Sequence, residues 1–344
     1  MRALILVAVF VFGSLSLAAA QSKTLTELAN YRGADREEML KAGAKKEGKL
    51  IWYTTLTAHR DIANVFEAKY PGVKVETYRT GSTDLLRRIL SEAESKRNLA
   101  DLVETTPPTL MVMRDNKLLL PYHSPHLSLY PEDSKEEADK SRVYWTTDRE
   151  SLISLGYNKN LIRAVDVPKS FAELAKPENK GKIAVSGDST GVRFLGAIIK
   201  AKGEEFLKQL KALDIKMHMI SGGAMHELMA AGEMPMSISI FRNHVLSGQP
   251  RGAPTQWVPM DLVVSNAGGV ALPAASNHPY GALLLADFLL SPEGQKIFEE
   301  KFRFATSTKN YGFKRWYPEK GLTTEQYEKS QDRWKKLLME LVRR

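Results

Sequence analysis

The chain has 344 residues, 43% of them hydrophobic, and a formal net charge of +9 at pH 7. It contains no cysteine, which excludes disulfides, thiolate zinc sites and cysteine nucleophiles. Lys and Arg are spread along the chain rather than clustered, so the charge indicates a cationic surface and not a nucleic-acid site.

The first twenty residues have the order of a secretory signal peptide. Residues 1–2 give a positive start, residues 4–17 form an apolar run, and residues 18–20 are small alanines before Gln21. The apolar run is shorter than the roughly 20 residues of a membrane-spanning helix. We therefore expect a cleaved signal and a soluble, periplasmic mature protein.

Predicted strands and helices alternate in the first part of the chain. Strands are expected at 50–54, 73–78 and 100–103, and helices at 57–70 and 85–94. This alternation predicts a parallel sheet with helices on both faces, whose ligand crevice lies beyond the carboxyl ends of the strands. The candidate ligand-binding residues at those ends are Thr55, Thr57, Arg79, Ser82 and Thr105.

A second series of strands follows at 182–185, 216–220 and 236–240. Glycine-containing turns at 187–191 and 221–223 lead into helices and offer backbone N–H groups at the helix starts. The candidate ligand-binding residues in this part are Ser186, Ser189, Thr190, Arg193, Ser221, Gly222, Phe241, Arg242 and His244.

Two long extended stretches, 144–157 and 258–272, bracket the middle of the chain. If both cross between two sheets, residues 21–145 plus 265–344 form one lobe and residues 146–264 form the other. Two crossing strands make a hinge that domain closure requires. Arg149, near the first crossing, is a further candidate for ligand binding.

Eight short segments occur in the order found in bacterial extracellular solute-binding proteins of ABC importers. These segments are 42–53, 66–75, 100–103, 156–160, 168–174, 180–184, 230–233 and 290–295. The chain therefore resembles this family from about residue 35 to residue 305, and it is most similar to the ferric-iron-binding branch. The resemblance implies an α/β, two-lobed periplasmic-binding-protein fold of type II, in which each lobe is a mixed sheet flanked by helices.

The iron-ligand positions of that branch are occupied by other residue types here. The branch carries His, Glu and Tyr-Tyr at positions that fall near Thr57, Thr106 and Arg242-Asn243, while His59 and Glu104 lie within two residues of the first two. Fe(III) needs anionic oxygen donors, and an Arg at the tyrosine position would repel it. Ferric iron is therefore the alternative ligand and not the expected one.

A small organic anion is the expected ligand. Arg242 carries a planar donor fork suited to a carboxylate, a phosphonate or a phosphate ester. We expect the anion to favour a closed form that both lobes contact, and this form to dock on an inner-membrane ABC permease. The same cleft would also serve a sensory receptor. We expect a monomer, no cofactor, no resident metal and no nucleic-acid partner.

A serine esterase is the alternative from another class. Residues 187–191 fit the G-x-S-x-G pattern between a strand and a helix, with Ser189 as nucleophile and Asp261 and His278 as possible partners. No oxyanion segment of the His-Gly-Gly-Gly kind precedes this pattern. The same five residues also suit a turn that caps a helix, and we expect no enzyme.

Overall fold

The structure is a computed structural model that describes residues 23–342. The predicted signal peptide, residues 1–20, lies outside the described residues. The strands are β1 (Lys49–Thr54), β2 (Lys74–Arg79), β3 (Leu102–Thr105), β4 (Leu119–Leu120), β5 (Lys135–Asp139), β6 (Arg142–Asn158), β7 (Ile183–Ser186), β8 (Lys216–His218), β9 (Met236–Phe241), β10 (Thr255–Val258), β11 (Val263–Pro273) and β12 (Arg315–Trp316). The α-helices are α1 (Leu25–Asn30), α2 (Arg36–Glu47), α3 (His59–Lys69), α4 (Ser82–Glu94), α5 (Pro107–Asp115), α6 (Phe171–Leu174), α7 (Ser189–Lys202), α8 (Leu207–Lys211), α9 (Gly222–Ala231), α10 (Arg242–Gly248), α11 (Pro279–Leu290), α12 (Pro292–Glu300) and α13 (Thr324–Val342).

One mixed sheet runs through the molecule in the order β2-β1-β3-β11-β6-β9-β7-β8. β1 is parallel to both β2 and β3, and β7 is parallel to both β8 and β9. Between these parallel groups, β11 and β6 are antiparallel to each other and to their outer neighbours. The fold is therefore α/β with a mixed sheet flanked by helices, as the sequence predicts.

Buried side chains form two main groups on either side of β6 and β11. The first group combines two adjoining clusters and draws on β1, β3, α3, α5 and α11. The second group draws on β7, β9, α6 and α7. β6 contributes Trp145 to the first group and Ile153 to the second, and β11 contributes Val270 and Val264 in the same way. The two long strands therefore connect two cores, while the exact lobe boundaries stay a prediction.

A third connection runs beside the two long strands. Ala305 bridges Glu150 of β6, and the short strand β12 pairs with the start of β11. The fully buried carboxylate of Glu150 accepts hydrogen bonds from Arg315 Nη1 (2.6 Å), from Ser265 Oγ (3.0 Å) and from the Tyr317 hydroxyl. This buried ion pair joins the segment 303–317 to β6.

Helix starts and ends near the strand ends follow local sequence signals. Asp188 caps α7 by accepting from the backbone N–H of Thr190 (2.7 Å), and Ser221 caps α9. Gly48 ends α2 in the left-handed region, with φ 75°. Within the described residues, no helix combines the length and apolarity needed to cross a membrane.

Candidate functional site

The carboxyl ends of strands from both halves of the sheet meet at one cavity of about 190 Å³. The loop after β1 and the start of α10 form opposite walls, and β6 lies between them. The described residues that line this cavity are Thr55, Leu56, Thr57, Arg149, Ser151, Phe241, Asn243, His244 and Phe304. Five of the predicted site residues lie here, namely Thr55, Thr57, Arg149, Phe241 and His244. We call this cavity the cleft.

Arg149 is the cation of the cleft, and Glu104 is its partner. Arg149 Nη2 donates to Glu104 Oε1 at 2.9 Å, and the two side chains are 8% and 0% exposed. The other oxygen of Glu104 accepts from Thr54 Oγ1 and from the backbone N–H of Thr55. The Nε of Arg149 is buried without a hydrogen-bond partner among the described residues, and the guanidinium lies 5.3 Å from the centre of the Phe304 ring. Both carboxylate oxygens of Glu104 therefore accept hydrogen bonds, whereas the Nε–H of Arg149 is a donor without an acceptor among the described residues.

The opposite wall combines aromatic and amide groups. The rings of Phe241 and His244 pack edge to face at 5.1 Å, and a Cβ on Gly222 would lie 2.8 Å from the Phe241 ring. Burial lowers the pKa of His244, and the nearby His226 acts in the same direction. At pH 7 His244 is therefore a neutral imidazole. The side-chain oxygen of Asn243 is buried without a partner in the described part of the chain.

Arg242, the anchor predicted from the sequence, points elsewhere. Its guanidinium lies 5.0 Å from the centre of the Tyr311 ring, in the segment that follows α12. Lys309 and Arg315 also lie near this ring, at 5.5 and 5.9 Å. The structure therefore places Arg149, and not Arg242, at the cleft.

Other predicted residues have structural partners. The buried hydroxyl of Ser186 donates to the backbone carbonyl of Ile220, and the Ser221 hydroxyl accepts from the backbone N–H of Ala224 (3.3 Å). Arg193 donates to the Tyr327 hydroxyl (3.2 Å) and to Asn266, which ties α7 to α13 and to β11. These contacts stabilise the fold around the cleft.

The remaining predicted residues lie at the ends of strands or at the start of α7. Thr105 is buried, and its hydroxyl has no partner among residues 23–342. The Ser82 hydroxyl accepts from Thr106 (3.2 Å), and Arg79 is exposed at the end of the edge strand β2. Ser189 is exposed, while Thr190 is buried in the first turn of α7.

The esterase triad is not assembled. Asp261 accepts from the backbone N–H of Phe171 and pairs with Lys202 at 3.1 Å. His278 pairs with Asp101 at 2.7 Å, at the start of α11. Both proposed partners of Ser189 are therefore engaged with other groups.

The residues near the iron-ligand positions do not form a metal site. His59 Nδ1 is hydrogen-bonded to Thr77 Oγ1 at 2.9 Å, so this ring is held against β2. Glu104 is engaged as described above. In residues 23–342, no group of three or more His, Cys, Asp or Glu side chains is placed to hold a metal ion.

Four side chains that line the cleft were not candidate ligand-binding residues in the sequence, namely Leu56, Ser151, Asn243 and Phe304. Phe304 comes from the irregular segment after α12, and Ser151 lies two residues beyond Arg149 in β6. Glu104 was expected at the crevice and near an iron-ligand position but not as a ligand-binding residue, and the structure makes it the partner of Arg149. Its place at the carboxyl end of β3 was the available signal.

Comparison with known proteins gives consistent matches. Residues 97–321 match the family described as bacterial extracellular solute-binding protein. An uncharacterized protein of Haemophilus influenzae is 26% identical over 269 residues, which cover 74% of this chain and 76% of that protein.

Two solved structures share the fold. Iron-bound HitA from Pseudomonas aeruginosa has a TM-score of 0.65 at 23% identity and covers 85% of this chain and 99% of that one. The periplasmic binding protein AfuA from Actinobacillus pleuropneumoniae, with exogenous fructose-6-phosphate bound, has a TM-score of 0.61 at 23% identity, with 86% and 98% covered.

Proposed function

The chain belongs to the bacterial extracellular solute-binding proteins, and from this premise we propose that its cleft captures a small organic anion for an ABC importer. A carboxylate or a phosphate ester is the proposed ligand class. The lobes close around the anion, and the closed form docks on an inner-membrane permease. The protein would act in the periplasm and carry out no reaction on its ligand.

The observation that carries the proposal is the unused edge of Arg149. A guanidinium binds carboxylate or phosphate oxygens through paired N–H donors, and Arg149 Nε is buried beside the cavity without a partner among the described residues. Thr55, Thr57 and Ser151, which carry hydroxyl groups, line the same cavity. These groups suit the remaining oxygens of an anion, and Phe241 and Phe304 suit its apolar part.

The donor set supports an anion over ferric iron. Of the described residues that line the cleft, none carries a carboxylate or a phenolate, and Arg149 adds a positive charge. Fe(III) requires anionic oxygen donors. HitA was crystallised with iron and AfuA with a sugar phosphate. The lining of this cleft is closer to what a sugar phosphate needs.

Capture follows from the position of the cleft between the two cores. Thr55 and Thr57 follow β1, whereas Phe241 and His244 belong to β9 and α10. An anion that contacts both walls stabilises the closed form because those contacts exist together only there. β6 and β11 provide the hinge, since both strands join the two cores.

The test compares Arg149 with Arg242. We expect a panel of carboxylates and phosphate esters, fructose 6-phosphate included, to contain an anion that raises Tm through preferential binding to the folded state. Arg149→Met should abolish this shift and lower the free energy of unfolding by about 3–5 kcal/mol, because Glu104 stays buried without its partner. Differential scanning fluorimetry and chemical denaturation give the two quantities.

Two variants serve as controls. The double variant Arg149→Met/Glu104→Gln should recover much of the stability without recovering the anion response, which separates binding from folding. Arg242→Met, which removes a guanidinium packed on Tyr311, should keep the response. Stoichiometric iron in natively purified protein together with no response to any anion would contradict the proposal.

A further inference from the structure

Asp148 is a buried acid beside the cleft without a hydrogen-bond partner for its carboxyl group. It lies in the hinge strand β6 next to Arg149, it is 0% exposed, and neither carboxyl oxygen has a partner among residues 23–342. A Cβ placed on Gly268 would lie 2.4 Å from Glu104 Oε1, 2.9 Å from Asp148 Oδ1 and 3.0 Å from Arg149 Cζ. Two carboxyl groups and one guanidinium therefore surround the same point.

Three neutral donors from elements around Asp148 have other partners. Tyr122 Oη donates to the Val270 carbonyl (2.9 Å), and Tyr130 Oη donates to the Leu290 carbonyl (2.8 Å). From α12, Gln295 Nε2 donates to the backbone carbonyl of Asp148 and not to its carboxyl group. An ionised Asp148 would thus be a buried charge with no hydrogen bond, which is the costly form.

The charges that face Asp148 also favour its neutral form. Burial raises the pKa of Asp148 well above its usual value, and Glu104 from β3 adds to this effect. Arg149 and nearby backbone N–H groups act in the opposite direction and are the smaller effects. The phenol groups of Tyr122 and Tyr130 are neutral, because burial raises their pKa values further above 10.

We propose that Asp148 keeps its proton at neutral pH and that release of this proton weakens the capture of an anion by Arg149. With Asp148 neutral, Glu104 is the one carboxylate that compensates the guanidinium, and Arg149 Nε serves the ligand. When the proton passes to solvent, a second carboxylate faces the guanidinium, and the anion meets an additional negative charge. Asp148 does not line the cleft and is a positioning residue. The inference rests on the proposed anion ligand. It states that the protein binds this anion most tightly while Asp148 also holds a proton.

The direction of the pH dependence follows from linkage. The folded protein holds this proton more tightly than the unfolded chain does, because the folded-state pKa of Asp148 is raised. The free energy of unfolding therefore falls as the pH rises from about 4, the pKa of an unfolded aspartate, through the pKa of the folded group. Anion affinity falls in the part of this pH range in which the folded group loses its proton.

Asp148→Asn tests the proposal, because the amide has the shape of the protonated acid and cannot ionise. Infrared spectra of the wild type at neutral pH should contain the C=O stretch of a buried protonated carboxylic acid, and the variant should lack that band. Affinity for the most stabilising anion of the panel should fall about 10- to 100-fold in the wild type as the pH rises through the range in which this band disappears. In Asp148→Asn the affinity should stay near the low-pH wild-type value.

Thr146→Val is the matched control. Thr146 lies in the same strand, and its buried hydroxyl has no partner among the described residues, but it does not titrate. This variant should keep the infrared band and the wild-type pH profile. If Asp148→Asn does not fold, the infrared band that remains in a Glu319→Gln background still decides the protonation state of Asp148, because burial raises the pKa of Glu319 to about 7 and this acid gives a band of its own.

The outcomes separate this inference from the proposed function. A missing band in the wild type, or equal pH profiles in the wild type and Asp148→Asn, would overturn the inference while anion binding stands. A wild type that shows the band and binds no anion at any pH would contradict the proposed function, and the coupling would fall with it.

Discussion

Gly268 leaves no room for a side chain beside the Arg149–Glu104 pair. Its ideal Cβ position lies 2.4 Å from Glu104 Oε1 and 3.0 Å from Arg149 Cζ, and both of these side chains are buried. β11 also has an irregular register at Gly268 and Gly269, where β6 carries the extra residue Asp148. The bulge and the missing side chain together let two carboxyl groups approach one guanidinium.

Gly268→Ala should therefore damage both stability and anion binding. We expect a loss of about 1–3 kcal/mol in the free energy of unfolding, the usual cost of overpacking, and a weaker anion response because Glu104 and Arg149 must move. Gly269→Ala is the control, since its Cβ would meet Leu110 and Trp145 at 2.8 and 2.9 Å and no charged group. It should lose similar stability and keep its anion affinity. Equal affinities in the two variants would contradict this assignment.

Sequence alone predicted several residues that line the cleft, because strand ends are readable from it. Thr55 and Thr57 were predicted at the cleft from the end of β1, and Phe241 and His244 from the end of β9. The sequence pattern does not predict the direction in which a side chain points. Arg242 was therefore chosen as the anchor, although its guanidinium packs on Tyr311. Asp148 carried no pattern of its own, since its position beside Arg149 and Glu104 depends on a register shift between strands distant in sequence.

At the scale of elements, helix and strand order was largely predictable. The helix expected at 57–70 is α3, and the extended stretch expected at 144–157 is β6. The predicted stretch 258–272 was wrong at its start, because β10 ends at Val258 and β11 begins at Val263. Pro259 lacks a backbone N–H and disfavours a continuous ladder there. β12 was not predicted from the sequence, because a strand of two residues is too short to show an alternation of apolar and polar side chains.

The segment 303–317 depends on one buried ion pair. Arg315 Nη1 donates to Glu150 at 2.6 Å and to the Thr306 carbonyl at 3.0 Å, so one guanidinium joins the segment to the hinge strand. Removing this cation leaves the fully buried Glu150 without its charge partner.

Arg315→Met should lower the free energy of unfolding by about 3 kcal/mol or more. Lys309→Met is the matched control in the same segment. It removes a half-exposed ion pair with Glu299 and should cost less than about 1 kcal/mol. Urea denaturation of the two variants measures the difference, and equal losses would show that the buried pair does not hold the segment.

At the scale of the molecule, α13 contacts both cores. Tyr327 belongs to the first group of buried residues, whereas Leu338 and Leu341 belong to the second. Residues 265–344 were assigned to the first lobe from the two long extended stretches, and this assignment stays a prediction. The amphipathic pattern of α13 indicates that one face is buried but not which partner covers it. The last turns of α13 pack against α7 and α8 of the other half. α13 is therefore a further connection between the two groups of buried residues.

Lobe closure can be measured directly because the natural chain has no cysteine. Arg60 and Met219 are exposed; Arg60 lies in the first turn of α3 and Met219 directly follows β8, so the two positions lie in different halves of the sheet. Spin labels on Arg60→Cys/Met219→Cys should give a distance distribution that shifts to shorter values when the stabilising anion is added, since the anion favours the closed form. In an Arg149→Met background the distribution should not respond, because the contact that couples the anion to closure is missing. A distribution unchanged by saturating anion in the parent protein would mean that binding and closure are separate events.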